Sequence, residues 1–172
     1  MISGFNNSAK NAIELAQEEV KSFKQNVLGT EHILLGLMLE EEGIAGKILR
    51  NKLNVDKIRE IIKNTTGMGD TSPEFIAISP RSKYIIELAR QYSSQMGVPY
   101  VGTEHILLGL IDEGEGIAAQ IIKSVVNLKE LKFEVIEAVK QGSGGAGSSE
   151  DYNTNPQQPQ NPNTKTIDKY GT

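Results

Sequence analysis

Apolar residues in the first 141 positions recur at steps of three, four and seven. Ala9, Ala12, Ile13, Ala16, Val20 and Phe23 fall on one stripe, which predicts an amphipathic helix over residues 9–23. Asn6 or Asn7 can cap it, and Phe5 can staple onto it. Ser79 followed by Pro80 is a second start signal, a hydroxyl cap and then a proline at the first helical position. Ile85, Ile86, Ala89, Tyr92 and Met96 continue that helix on one face. Gly29-Thr30 and Gly102-Thr103 each open another helix, with threonine expected as its cap. Gly43 and Gly116 break those helices and start a third in each set. Val55, Ile58 and Ile62, and then Leu128, Leu131, Val135 and Val139, give the last helix of each set. No stretch alternates with period two for long enough to demand a strand. The predicted fold is all-α.

The pattern is written twice. GTEHILLGL occupies residues 29–37 and returns at 102–110, an offset of 73 (102 − 29). The same offset relates Gly43-Ile44-Ala45 to Gly116-Ile117-Ala118, Glu14-Leu15-Ala16 to Glu87-Leu88-Ala89, and Asn6 to Ser79. Two tandem four-helix repeats follow, 1–66 and 79–141, joined by a loop at 67–78. Each alone is small for a stable core, so the two are expected to pack as one pseudo-twofold globule.

Beyond the second repeat the chain changes character. Residues 142–164 read GSGGAGSSEDYNTNPQQPQNPNT, too poor in apolar side chains to repay ordering. Residues 142–165 are therefore expected to be a flexible linker, with 166–172 the start of a further module. An apolar content of 38 % across 172 residues agrees with a compact part plus a polar tail.

Charge and composition narrow the chemistry. A net charge of −4 and the lack of any basic stripe argue against nucleic acid. The absence of cysteine excludes disulfides and thiolate metal sites. Neither a signal peptide nor a membrane span is legible, so a soluble cytoplasmic protein is expected.

The residues offer four kinds of candidate site. Glu31-His32 and Glu104-His105 contain both histidines, but neighbouring residues diverge by about 100° around a helix. With glutamate facing water, the histidine falls near the core boundary as a structural residue, and no metal site is expected. Gly46-Lys47 lacks the first glycine of a phosphate loop, with Glu41 in its place, and Ile48 follows the lysine. No nucleophile motif is present, and Glu40-Glu41-Glu42 reads as a solvated helix end. No catalytic residue and no cofactor are expected in this stretch. The fourth kind is anion binding at the capped helix starts, combined with a first-turn glutamate at 31 or 104. A ligand with one anionic and one cationic end would use both, and phosphoarginine is such a group. The bland alternative is a glutamate that merely complements the helix dipole.

GTEHILLGL…EEEGIAGKIL and YVGTEHILLGLIDEGEGIAAQII, 73 residues apart, closely resemble the double repeat of the Clp N-domain. The wording is most similar to the ClpC type of AAA+ unfoldase, and the resemblance covers about residues 5–140. IDKYGT is similar to the entrance of the family's first ATPase module. The resemblance implies a non-catalytic receptor domain on a hexameric ATPase, itself monomeric as a fragment. ATP and Mg²⁺ would belong only to the missing modules. It further implies adaptors of the MecA or McsB type, a ClpP-type peptidase reached through the rest of the parent, and phosphoarginine-marked substrates bound at two pseudo-equivalent sites. By the same resemblance Glu31 and Glu104 hold the guanidinium. Asn6, Asn7, Ser79 and Arg81 stand where phosphate binds. The family's Phe-Thr-Glu-Arg-Ala is here Phe5-Asn6-Asn7-Ser8-Ala9, so the first helix start lacks a hydroxyl cap and an arginine. A docking module for adaptors without phosphoarginine recognition is the alternative.

Overall fold

The computed structural model describes residues 2–142. The expected linker beyond Gly142 and the module start at 166–172 lie outside the described residues. Eight helices are present: α1 (Asn7–Ser22), α2 (Thr30–Leu39), α3 (Ile44–Arg50), α4 (Val55–Thr66), α5 (Pro80–Gln95), α6 (Thr103–Glu113), α7 (Ile117–Lys123) and α8 (Leu128–Gly142). Their starts follow the local sequence. The side-chain oxygen of Asn6, rather than Asn7, accepts the N–H of Ala9 at 2.9 Å, and the Ser79 hydroxyl accepts that of Ser82 at 3.1 Å. Asn54 does the same for Lys57 at 3.0 Å.

Within each repeat the first two helices lie side by side and carry the core. Ala12 and Ala16 of α1 meet Gly36 of α2 so closely that a methyl group on Gly36 would collide with the Ala12 carbonyl oxygen. Gly109 of α6 is equivalent, and a methyl there would sit 2.7 Å from the Ile85 carbonyl oxygen of α5. The eighth letter of GTEHILLGL is thus a requirement of backbone approach. Its Ile, Leu and Leu at 33–35 and 106–108 are fully buried on all sides.

The fold is all-α as expected, with one correction of detail: two strands of two residues each accompany the helices. β1 (Val27–Leu28) and β2 (Ala77–Ile78) pair in parallel, with Val27 opposite Ala77 and Leu28 opposite Ile78. Phe5 and Val101 form a matching parallel bridge, the same pair of positions after the 73-residue shift. Segments this short carry no periodicity. Each repeat therefore lends the residues before its first helix to the residues before the second helix of the other. The Ser79 N–H donates to the Leu28 carbonyl at 3.1 Å, and the Asn6 N–H to the Val101 carbonyl at 2.9 Å.

The threonines behave in the same reciprocal way, which corrects a second expectation. Gly29 and Gly102 cap α2 and α6, and threonine is the first helical residue. Its hydroxyl reaches into the other repeat. Thr30 Oγ1 accepts the Ala118 N–H of α7 at 3.1 Å, and Thr103 Oγ1 accepts the Ala45 N–H of α3 at 3.4 Å. The acidic cluster also departs from the expected solvated face. Glu40 is 1 % exposed, and its carboxylate accepts the N–H groups of Gly43 at 2.7 Å and Glu42 at 3.1 Å. Glu113 serves Gly116 and Glu115 in the same way at 2.9 and 3.2 Å. Only Glu41 and Glu42 are exposed. The open N–H groups of α3 and α7 explain why these carboxylates turn inward.

Thr30→Val is expected to lower unfolding free energy by about 1 kcal/mol through loss of the α7 cap. Gly36→Ala should cost more, about 1–3 kcal/mol, because backbone rather than a flexible side chain stands in the way. Urea unfolding of the three proteins checks both, and equal midpoints for all would contradict the packing described.

Candidate binding pocket between the repeats

The strand exchange brings the N-termini of α2, α5 and α7 to one place. They border an open pocket of about 870 Å³, with Gln25 ahead of α2, Glu31 in its first turn, Ser79 and Arg81 at the start of α5, and Gly116 at the start of α7. Glu31 thus shares a pocket with the helix start of the other repeat. Asn6, Asn7 and Ser8 belong by the same relation with Glu104, since the Asn6 N–H is bonded to Val101, just ahead of Gly102. Glu31, Ser79 and Arg81 are gathered in one pocket, assembled across the repeats.

Glu31 does not face water as expected. It is 7 % exposed, and its carboxylate folds back over Gly29, where a methyl group would lie 2.5 Å from Oε1. Burial pushes its carboxyl up from the usual range, and a hydrogen bond from its own backbone N–H partly opposes this. Glu104 is 5 % exposed and folds over Gly102 with the same 2.5 Å approach. A side chain at the first letter of GTEH would have to displace the carboxylate of the third.

The histidines are structural in their geometry. Nδ1 of His32 accepts the Gly29 N–H and Nδ1 of His105 accepts the Gly102 N–H, both at 2.9 Å. Each closes the start of its helix from the third position, where a capping box carries Glu or Gln. Burial lowers both to about 4; at His32 the charge of Glu19 opposes the shift in part. They are therefore neutral at pH 7, with the proton on Nε2. Among the described residues no group of three or more His, Asp or Glu side chains could hold a metal ion.

The polar side chains at the start of α5 are already engaged. The Ser79 hydroxyl caps α5 and donates to Ser82 Oγ at 2.9 Å. Arg81, half exposed, donates to Glu113 Oε2 at 2.6 Å. Burial tends to raise Glu113, but the N–H groups of Gly116 and Glu115 together with Arg81 outweigh it and hold the carboxyl below the usual range. Ser8 stands in the position of Arg81 in the first repeat and is buried, and Asn7 is exposed. Sequence reasoning missed Gln25 and Glu113. Glu113 was legible only as part of an acidic run, and Gln25 lies outside any periodic stripe.

The profile of the Clp repeat N-terminal domain matches residues 4–125 and again residues 77–159. The chain is 41 % identical over 159 residues to the negative regulator of genetic competence ClpC/MecB of Bacillus subtilis, a match covering 90 % of this chain and 20 % of that protein. It is also 41 % identical over 149 residues to the chaperone protein ClpB of Oceanobacillus iheyensis, covering 86 % and 18 %. The chain thus spans about a fifth of the length of these curated relatives. Among solved structures, the N-terminal domain of ClpD from Arabidopsis thaliana aligns with TM-score 0.67 at 27 % identity, covering 81 % of this chain and 99 % of that one. The ClpV N-domain in complex with a VipB peptide shares the fold, with TM-score 0.58 at 20 % identity, covering 76 % and 83 %. No helix among the described residues is long and apolar enough to cross a membrane.

The two histidines set a pH dependence. In the unfolded chain they take up protons near pH 6.5, whereas in the folded chain they resist until about 4. Their contribution is complete above pH 6.5 and is lost as pH falls towards 4, by up to about 3 kcal/mol each. Thermal melting should therefore shift downward between pH 7 and pH 5. His32→Gln, which keeps a capping side chain at the third position, should flatten that shift. An unchanged slope in the variant would show that His32 is not held neutral.

Proposed function

The chain belongs to the Clp repeat N-terminal domain family, and from that premise we propose that it is the substrate- and adaptor-recognition domain of a ClpC-type ATP-dependent unfoldase, one that binds phosphoarginine-marked proteins. The observation that carries the reading is the meeting of Glu31 with Ser79 and Arg81 in one pocket across the repeats. Glu31 is a carboxylate denied water, so a cation placed against it restores what burial removed. A guanidinium does so with several donors in one plane. The phosphoryl group attached to that guanidinium would be met by Arg81 and the start of α5. Arg81 would then exchange part of its bond to Glu113 for phosphate. Glu113 keeps its place, because the N–H groups of Gly116 and Glu115 continue to hold it.

The Glu104 site, with Asn6 and Asn7, is the weaker partner in this reading. Ser8 supplies no positive charge where Arg81 stands, and the Asn6 side-chain oxygen is committed to Ala9. The domain acts by binding and has no catalytic role of its own. ATP and Mg²⁺ would serve the ATPase modules of a hexameric cytoplasmic parent, which would pass substrates to a ClpP-type peptidase. Adaptors of the MecA or McsB type would use the same domain. A pure docking role is the second reading, favoured by the engaged state of Arg81 and by the peptide held on the related ClpV N-domain.

Calorimetric titration with free phosphoarginine, using arginine and phosphoserine as controls, separates the two readings. Glu31→Ala should weaken the tighter site about tenfold or more, an effect of about 1–3 kcal/mol, and Glu104→Ala only the weaker one. Binding favours the ionised Glu31, so affinity should fall as pH drops through its raised range. No saturable binding at millimolar ligand would leave the docking role.

A further inference from the structure

We infer that Gln25 is a specificity-determining residue of the Glu31 pocket, a second acceptor beside the carboxylate that reads the guanidinium; the inference rests on the phosphoarginine reading above. Gln25 and Glu31 line the same pocket, and the orientation of the Gln25 amide is fixed by its neighbours. Its nitrogen donates to the Gly67 carbonyl at 2.6 Å, a group that can only accept, and to Thr66 Oγ1 at 2.9 Å. The Thr66 hydroxyl spends its own hydrogen on the Ile62 carbonyl at 3.0 Å, so its oxygen is left to accept. On the other side, Gln25 Oε1 lies 2.6 Å from His32 Nε2. His32 Nδ1 accepts from Gly29, so Nε2 carries the proton and Oε1 must be the acceptor. The amide oxygen is thereby held in place with a second lone pair to offer.

The second repeat shows that the fold does not demand this glutamine. The position 73 residues on is Val98, and the Nε2 of His105 is buried without a hydrogen-bond partner. That repeat forms the same helices and the same histidine cap without the relay. What Gln25 adds is therefore an acceptor at one site and not at the other. A single carboxylate presents two oxygens, whereas a guanidinium that carries a phosphoryl group still has more donors than these two oxygens can align with. A lysine-derived phosphoramidate has a single nitrogen with at most two N–H groups at the corresponding place, which the two carboxylate oxygens can already meet, and gains little from a further acceptor. Gln25 should thus separate arginine from lysine among N-phosphorylated side chains.

The test titrates the whole 172-residue chain, carrying Glu104→Ala so that one site remains, with phosphoarginine and with Nε-phospholysine. Gln25→Val should weaken phosphoarginine about fivefold or more and leave phospholysine within about twofold. Val98→Gln, made instead with Glu31→Ala, should tighten phosphoarginine at the Glu104 site and raise the melting temperature by pairing His105. Equal weakening of both ligands by Gln25→Val, or no change in either, overturns the inference and leaves the pocket reading standing. If the Glu104→Ala chain with Gln25 intact does not bind phosphoarginine, the pocket reading itself fails and the inference with it. Should Gln25→Val fail to fold, Val98→Gln decides: a more stable protein with unaltered phosphoarginine affinity also overturns it.

Discussion

The third helix of each repeat takes one of its capping bonds from the opposite repeat, and the packing of the two repeats depends on that exchange. A helix leaves its first N–H groups without internal partners, and burying them unpaired is costly. Here Thr30 and Thr103 each supply an oxygen to the third helix of the other repeat, beside the glutamate that ends the second helix of the same one. The short parallel pairs add backbone bonds in the same crossed sense. Neither repeat can be separated from its partner without exposing polar groups on both, so the pseudo-twofold arrangement is held by specific bonds as well as by apolar burial.

The same exchange creates the pocket. Crossing the lead-in segments sets the first turn of α2 against the first turns of α5 and α7, and Glu31 arrives beside Ser79 and Arg81. Helix N-termini and a desolvated carboxylate thereby line one pocket. Such a site suits a ligand that is itself divided into an anionic and a cationic end.

Duplication has not kept the two sites alike. Where the residue supports packing or capping, as with Gly36 and Gly109, Thr30 and Thr103, or Glu40 and Glu113, both copies do the same job. Other positions have diverged between the copies: Arg81 against Ser8, Ser79 against Asn6, Gln25 against Val98. The unpaired Nε2 of His105 is the physical trace of that divergence in the interior.

The sequence by itself determined the helices, their start signals at Asn6 or Asn7 and at Ser79, the duplication, and the apolar letters of GTEHILLGL. These follow from periodicity and capping, which act within about one helical turn and so are written locally. It also singled out Glu31 and Glu104 as letters that packing alone does not account for. Only the tertiary structure decided the partners of Thr30 and Thr103, the inward turn of Glu40 and Glu113, the burial of Glu31, and the pairing of each glutamate with the other repeat's helix start. The threonine and helix-start pairings join positions far apart in the chain, as from Ala118 to Thr30, 88 residues away. No local pattern encodes such a partner; it is selected when two packed surfaces leave one donor and one acceptor facing each other.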